Sequence, residues 1–130
     1  MIIDITNQMR SEIKSLLPEA DVTTKFQEDT PVFPVVTVDE LSNDTVMESF
    51  DTAGEHHNDV VLEIEIFTTG GTKMNQSFMI RQKIDGLLSG TYRMRRVFSS
   101  ATPNFADTNV YRYTLRYAFK IDENKTIYRR

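Results

Sequence analysis

The sequence predicts an α+β fold, with a mixed or antiparallel sheet of about four to five strands and two helices packed on one face. Three observations predict it. Residues 2–17 and 73–88 carry apolar side chains at steps of three and four, the spacing that puts them on one side of a helix. Residues 60–67 and 110–121 alternate apolar and polar positions, the period of a strand with one buried face. The order helix, strands, helix, strands is packed most economically as a sheet covered on one side by both helices. A length of 130 residues suits one domain spanning the chain.

Ile2, Ile5, Met9, Ile13, Leu16 and Leu17 form the stripe of the first helix, and Arg10, Ser11, Glu12 and Lys14 lie largely off it. Pro18 ends it, because proline has no amide hydrogen to continue the ladder. Val22–Phe26 suits a short strand. Pro31 and Pro34 then suit a loop or a sheet edge, where a missing N–H costs nothing. Val35–Leu41 reads as a strand, with Val36 and Val38 on one face and Thr37 and Asp39 on the other. The polar, acidic stretch Ser42–Asp59 is expected to be mostly loop, with a short strand near Thr45–Phe50.

The next strand is the clearest: Val60, Leu62, Ile64 and Ile66 share one face, Glu63 and Glu65 the other, and Gly70-Gly71 ends it. The second helix is expected over Lys73–Leu88. Its N-cap is Thr72, its stripe runs from Met74 and Ser77 through Ile80, Ile84, Leu87 and Leu88, and Gly90 supplies a left-handed C-terminal residue. Tyr92–Phe98 follows as a strand and Ser99–Asn109 as a turn. The last strand, Val110–Ile121, puts Tyr111, Tyr113, Leu115, Tyr117, Phe119 and Ile121 on one face. Arg112, Thr114, Arg116, Ala118 and Lys120 take the other. Glu63 and Glu65 are the expected partners of those arginines, at about 0.2–1 kcal/mol per cross-strand pair.

Cysteine is absent, which removes thiolate catalysis, cysteine zinc sites and redox switching, and fits a reducing compartment. No signal-peptide pattern opens the chain and no apolar run approaches the ~20 residues of a membrane span, so no membrane partner is expected. Charge is split along the chain. Residues 1–80 carry 4 Lys/Arg against 15 Asp/Glu, a net of −11, and residues 81–130 carry 11 against 4, a net of +7. Either the two halves pair within one sheet, or oppositely charged surfaces of neighbouring subunits attract.

Chemistry has few footholds. Glu55-His56-His57-Asn58-Asp59 holds both histidines, and a small metal-dependent enzyme using Glu55, His56, His57 and Asp59 is the competing reading. Adjacent histidines in a loop point apart, however, and no second cluster completes a shell, so a solvated loop without metal is preferred. No Gly-x-Ser-x-Gly elbow or Gly-x-x-x-x-Gly-Lys phosphate loop exists, and Gly70-Gly71-Thr72-Lys73 reads as a turn entering a helix. Arg93, Arg95 and Arg96 beside Tyr92 and Phe98 have the makings of a nucleic-acid contact, but a net charge of −4 is unlike a dedicated binder. No catalytic residue and no cofactor is expected. The chain is read as one that binds other proteins.

Residues 31–43 (PVFPVVTVDELSN), 60–67 (VVLEIEIF) and 104–117 (NFADTNVYRYTLRY) resemble the tail-completion or tail-terminator proteins of long-tailed phages and prophages. The resemblance spans most of the chain and rests on sheet and turn patterns. It implies an α+β subunit of the virion, assembled in the bacterial cytoplasm into a ring, typically a hexamer, at the head-proximal end of the tail tube. Partners would be further copies, the tail tube protein and a head-completion or connector protein, with DNA only as passing cargo. A head-side connector or neck protein is the alternative. The family has no catalytic residues to carry over. A ring uses heterologous contacts between two different faces, which suits the charge split. The candidate contact residues are Asp44, Glu48, Asp51, Glu55 and Asp59 from the acidic part and Arg93, Arg95, Arg96, Arg112 and Arg116 from the basic part.

Overall fold

The computed structural model describes residues 4–24, 32–45, 57–102, 109–122 and 124–129. Its elements are α1 (Thr6–Leu16), β1 (Asp21–Thr23), β2 (Val35–Thr45), β3 (His57–Thr68), α2 (Lys73–Asp85), β4 (Arg95–Thr102), β5 (Tyr111–Asp122) and β6 (Ile127–Arg129). A π-helical segment, Gly86–Thr91, continues α2. The strands form one mixed sheet in the order β1-β2-β3-β5-β4, with β6 also paired to β5. Among the described residues β1–β2 is the parallel pair, and β2–β3, β3–β5, β4–β5 and β5–β6 are antiparallel. This is the expected α+β class, with six strands among the described residues where four to five were expected.

Both helices bury their apolar stripes against one face of this sheet. Ile5, Met9, Ile13 and Leu17 from α1 and its flanks, with Ile80, Ile84 and Leu88 from the second helical stretch, meet Val36, Val38, Val60, Leu62, Ile64, Ile66, Leu115, Tyr117, Phe119 and Ile121. Each such side chain contributes about 1.5–3 kcal/mol relative to exposure. A smaller cluster of Val35, Phe67 and Val110, with Phe33 against it, is separate from this core.

Several expected boundaries shift for local reasons. Helix α1 begins at Thr6, whose N–H donates to Asp4 Oδ1 at 2.9 Å; Leu16 turns out of the stripe to 37% exposure, and Ile2 lies outside the described residues. Past the end of the helix, Lys14 Nζ donates to the carbonyls of Pro18 and Ala20, tying the following turn to the last turn of α1. Strand β2 runs on through a bulge between Glu40 and Ser42. Ser42–Thr45 and His57–Asp59, expected in a loop, therefore belong to a long β2–β3 pair. The expected short strand near Thr45–Phe50 lies, beyond Thr45, outside the described residues, as does the end of the expected strand Val22–Phe26.

In α2 the buried row is Ser77, Ile80 and Ile84, while Met74 lies about 90° from the centre of that row at 3.6 residues per turn and is 61% exposed. Thr72 occupies the N-cap position without a side-chain cap. Gly90 does not take the left-handed conformation. The chain widens into a π-turn closed by Tyr92 N–H to the Leu87 carbonyl (3.0 Å), and Arg93, at φ 59°, makes the reversal instead. Because that reversal uses up residues 92–94, β4 starts at Arg95 and extends through Ser99–Thr102, which were expected in a turn.

Candidate assembly interface

The helix-free face of the sheet is built by register. Across β2, β3, β5 and β4 the rows read Asp39–Glu63–Arg116–Phe98, Thr37–Glu65–Thr114–Ser100 and Val35–Phe67–Arg112–Thr102. Directly opposed residues share a face, so a two-residue period in β3 and β5 puts acids beside bases. Arg116 Nε donates to Glu63 Oε2 at 2.8 Å and lies 4.8 Å from the Phe98 ring centroid. Arg112 pairs with Glu65 on the diagonal and lies 5.9 Å from the Phe67 ring. The expected partnership of Glu63 and Glu65 with these arginines is therefore present.

The other candidate residues are distributed differently. Asp44 is exposed near the end of β2 and Asp59 is half-buried in β3, opposite each other in the ladder, with Lys120 on the far side of Asp59. Glu48, Asp51 and Glu55 lie outside the described residues, as does His56. Arg93 and Arg95 are exposed at the entry to β4. Arg96 is 3.3 Å from Asp85 Oδ1 across the gap to α2. That carboxylate also accepts the Tyr117 hydroxyl at 2.8 Å. Burial first, then the Asp85 hydrogen bond and charge, push the Tyr117 hydroxyl well above the usual tyrosine value, with Arg96 opposing. Of the cluster Glu55-His56-His57-Asn58-Asp59, the described part is extended strand. His57 and Asp59 point to one face, and Asn58, buried on the other, donates to Asn43 Oδ1 at 2.9 Å. Among the described residues no three His, Asp or Glu side chains converge on a metal-sized site.

The flank between α2 and β4 went unnoticed in the sequence. A groove there is lined by Phe78, Arg81, Gln82, Asp85, Arg96 and Ser99 above Leu115. Phe78 is 50% exposed, and the Arg81 guanidinium stacks 3.7 Å from the Tyr113 ring centroid and 5.3 Å from that of Phe78. The available signal was that Phe78 and Met79 fall off the stripe of α2 and still are apolar.

The far end of β5 closes on itself. Asp122 Oδ1 accepts the backbone N–H groups of Asn124 and Thr126 at 2.9 Å each, and Oδ2 accepts the Tyr128 hydroxyl at 3.1 Å. The Thr126 amide leads the effects holding the Asp122 carboxyl below the usual range.

No family model matches the chain, and no curated protein does. Among solved structures, a chain of the virion of a native gene transfer agent particle aligns with a TM-score of 0.46 at 13% identity, covering 90% of this chain and 91% of that one. At that identity and score the likeness bears on no individual residue and no role of this chain.

Proposed function

We propose that this chain is a structural subunit of a phage tail, whose copies form a ring that ends the tail tube and helps join tail to head. By the resemblance of its sequence the ring is a hexamer, and its other partners are the tail tube protein and a head-completion or connector protein. One observation carries the reading. In the middle of the sheet acids and bases are paired, Glu63 with Arg116 and Glu65 with Arg112. At the two ends of the sheet lies exposed charge of opposite sign that has no ion pair among the described residues: Asp21, Glu40 and Asp44 on β1 and β2, Arg93 and Arg95 at β4. Two unlike surfaces on one subunit suit head-to-tail contact, which closes into a ring when the rotation allows.

Electron microscopy of particles from a phage lacking this gene tests the proposal. Overlong tails, or tails not joined to heads, are expected, and supplying the gene in trans restores normal length. Normal tails beside unclosed, leaking heads would overturn the tail assignment and place the protein on the head side of the joint.

A further inference from the structure

We infer that the junction between copies is made by strand addition: the outer edge of β4 in one copy receives the acidic β1–β2 edge of the next. The inference rests on the ring reading and narrows it to two named edges.

Strand β4 is eight residues long and, among the described residues, pairs only with β5. Its outer edge therefore presents main-chain donors and acceptors, which a neighbouring strand satisfies at little cost. On the helix side of β4 a groove against α2, floored by Leu115 of β5, is lined by Phe78, Arg96 and Ser99. Phe78 on its wall is half exposed, and Val97, thrown outward by the bulge between Arg96 and Phe98, is 44% exposed.

The occupant follows from charge. Arg93 and Arg95 are exposed, and no acid of the described residues pairs with either. A two-fold β4–β4 contact would bring these cations together, and like charges set opposite each other repel. The opposite edge of the same sheet has the complementary sign. Strand β1 covers β2 only from Val35 to Thr37. Beyond it, Arg10 Nε takes the Val38 carbonyl at 3.2 Å. Glu40 and Asp44 follow, both exposed, with Leu41 at the bulge 51% exposed as the apolar side chain this edge offers. A basic edge with the half-exposed Val97 and Phe78 beside it thus faces an acidic edge with an apolar anchor, on a second copy.

The test uses the full chain, which has no native cysteine. In sedimentation velocity at low salt, Arg93→Glu with Arg95→Glu, and separately Glu40→Arg with Asp44→Arg, are each expected to weaken self-association at least about tenfold. Mixing the two variants is expected to restore it, since each then meets an edge of opposite sign. The doubly substituted Leu41→Cys/Val97→Cys chain is expected to give a ladder of disulfide-linked multimers on mild oxidation. An equimolar mixture of the two single variants is expected to stop at dimers. Dimers from Val97→Cys alone would overturn the inference in favour of a two-fold β4 contact. Absence of a ladder, or association indifferent to both charge reversals, would overturn it too. If the ladder is absent but tails lacking the gene are overlong, the ring stands on other edges. If the ladder forms but such tails are normal, the contact stands and the tail role falls.

Discussion

The centre of the sheet and its β4 flank are built from similar residues to opposite ends. Between β3 and β5 the buried face is filled by Val60, Leu62, Ile64 and Ile66 against Leu115, Tyr117, Phe119 and Ile121, and on the other face Glu63 and Glu65 each hold an arginine. At the flank, Phe78 and Val97 are half exposed, Arg93 and Arg95 meet no acid among the described residues, and the ion pair of Arg96 with Asp85 lies in solvent-exposed surroundings. The centre meets its own needs inside the subunit. The flank leaves apolar surface and charge unmatched, as expected of a surface whose partner is another molecule.

The largest effect should separate the two regions by stability. Ile64→Ala opens a cavity in the fully buried centre and is expected to cost about 2–5 kcal/mol in urea unfolding. Phe78→Ala, on the half-exposed flank, is expected to cost under about 1 kcal/mol. Equal losses would erase the distinction.

Next comes Tyr117→Phe, which removes the one hydroxyl that ties the centre to Asp85 of α2. It is expected to cost about 1 kcal/mol, since Asp85 keeps Arg96 and water as partners. A loss above about 3 kcal/mol would mean that the flank, through Asp85, is part of what holds the core together.

Smaller still are the ion pairs. A double-mutant cycle on Glu63 and Arg116 is expected to give a coupling of about 0.5–1 kcal/mol, and the same cycle on Asp85 and Arg96 close to zero. Reversal of that order would put the better-organised charges at the edge.

The smallest effect is local and depends on pH. The Asp122 carboxyl is held below its ordinary value of 3.8, so its contribution is complete at neutral pH and is lost as pH falls below about 4. Protection of the Thr126 amide against hydrogen exchange should drop between pH 6 and 3, and Asp122→Ala should lower it at both. An unchanged Thr126 rate would show that β6 is held by its ladder to β5 alone.

The amino-acid pattern by itself determined the two helical stripes, the faces of β3 and β5 and the glutamate–arginine partnerships between them. All of these follow from periods of 3.6 and 2 that are local to a segment, and from the rule that opposite charges on facing strands attract. It also showed a charge split along the chain, without showing where the charge ends up. Only the tertiary structure decided that. Arg112 and Arg116 are matched at the centre because β5 lies beside β3, and Arg93 and Arg95 are left at the rim because β4 is the last strand in the order. The β2 bulge, the π-turn that delays β4, and the short β6 escaped the pattern for a related reason. Each is set by hydrogen bonds to a distant or irregular partner, such as Tyr92 N–H to Leu87 or Thr126 N–H to Asp122, which leave no period in the sequence. The groove beside Phe78 belongs with them, since it exists only where α2 passes the edge of the sheet. A chain-long charge split thus becomes a paired centre and two unlike edges because strand order, which no single segment encodes, carries the remainder of each half to a different end.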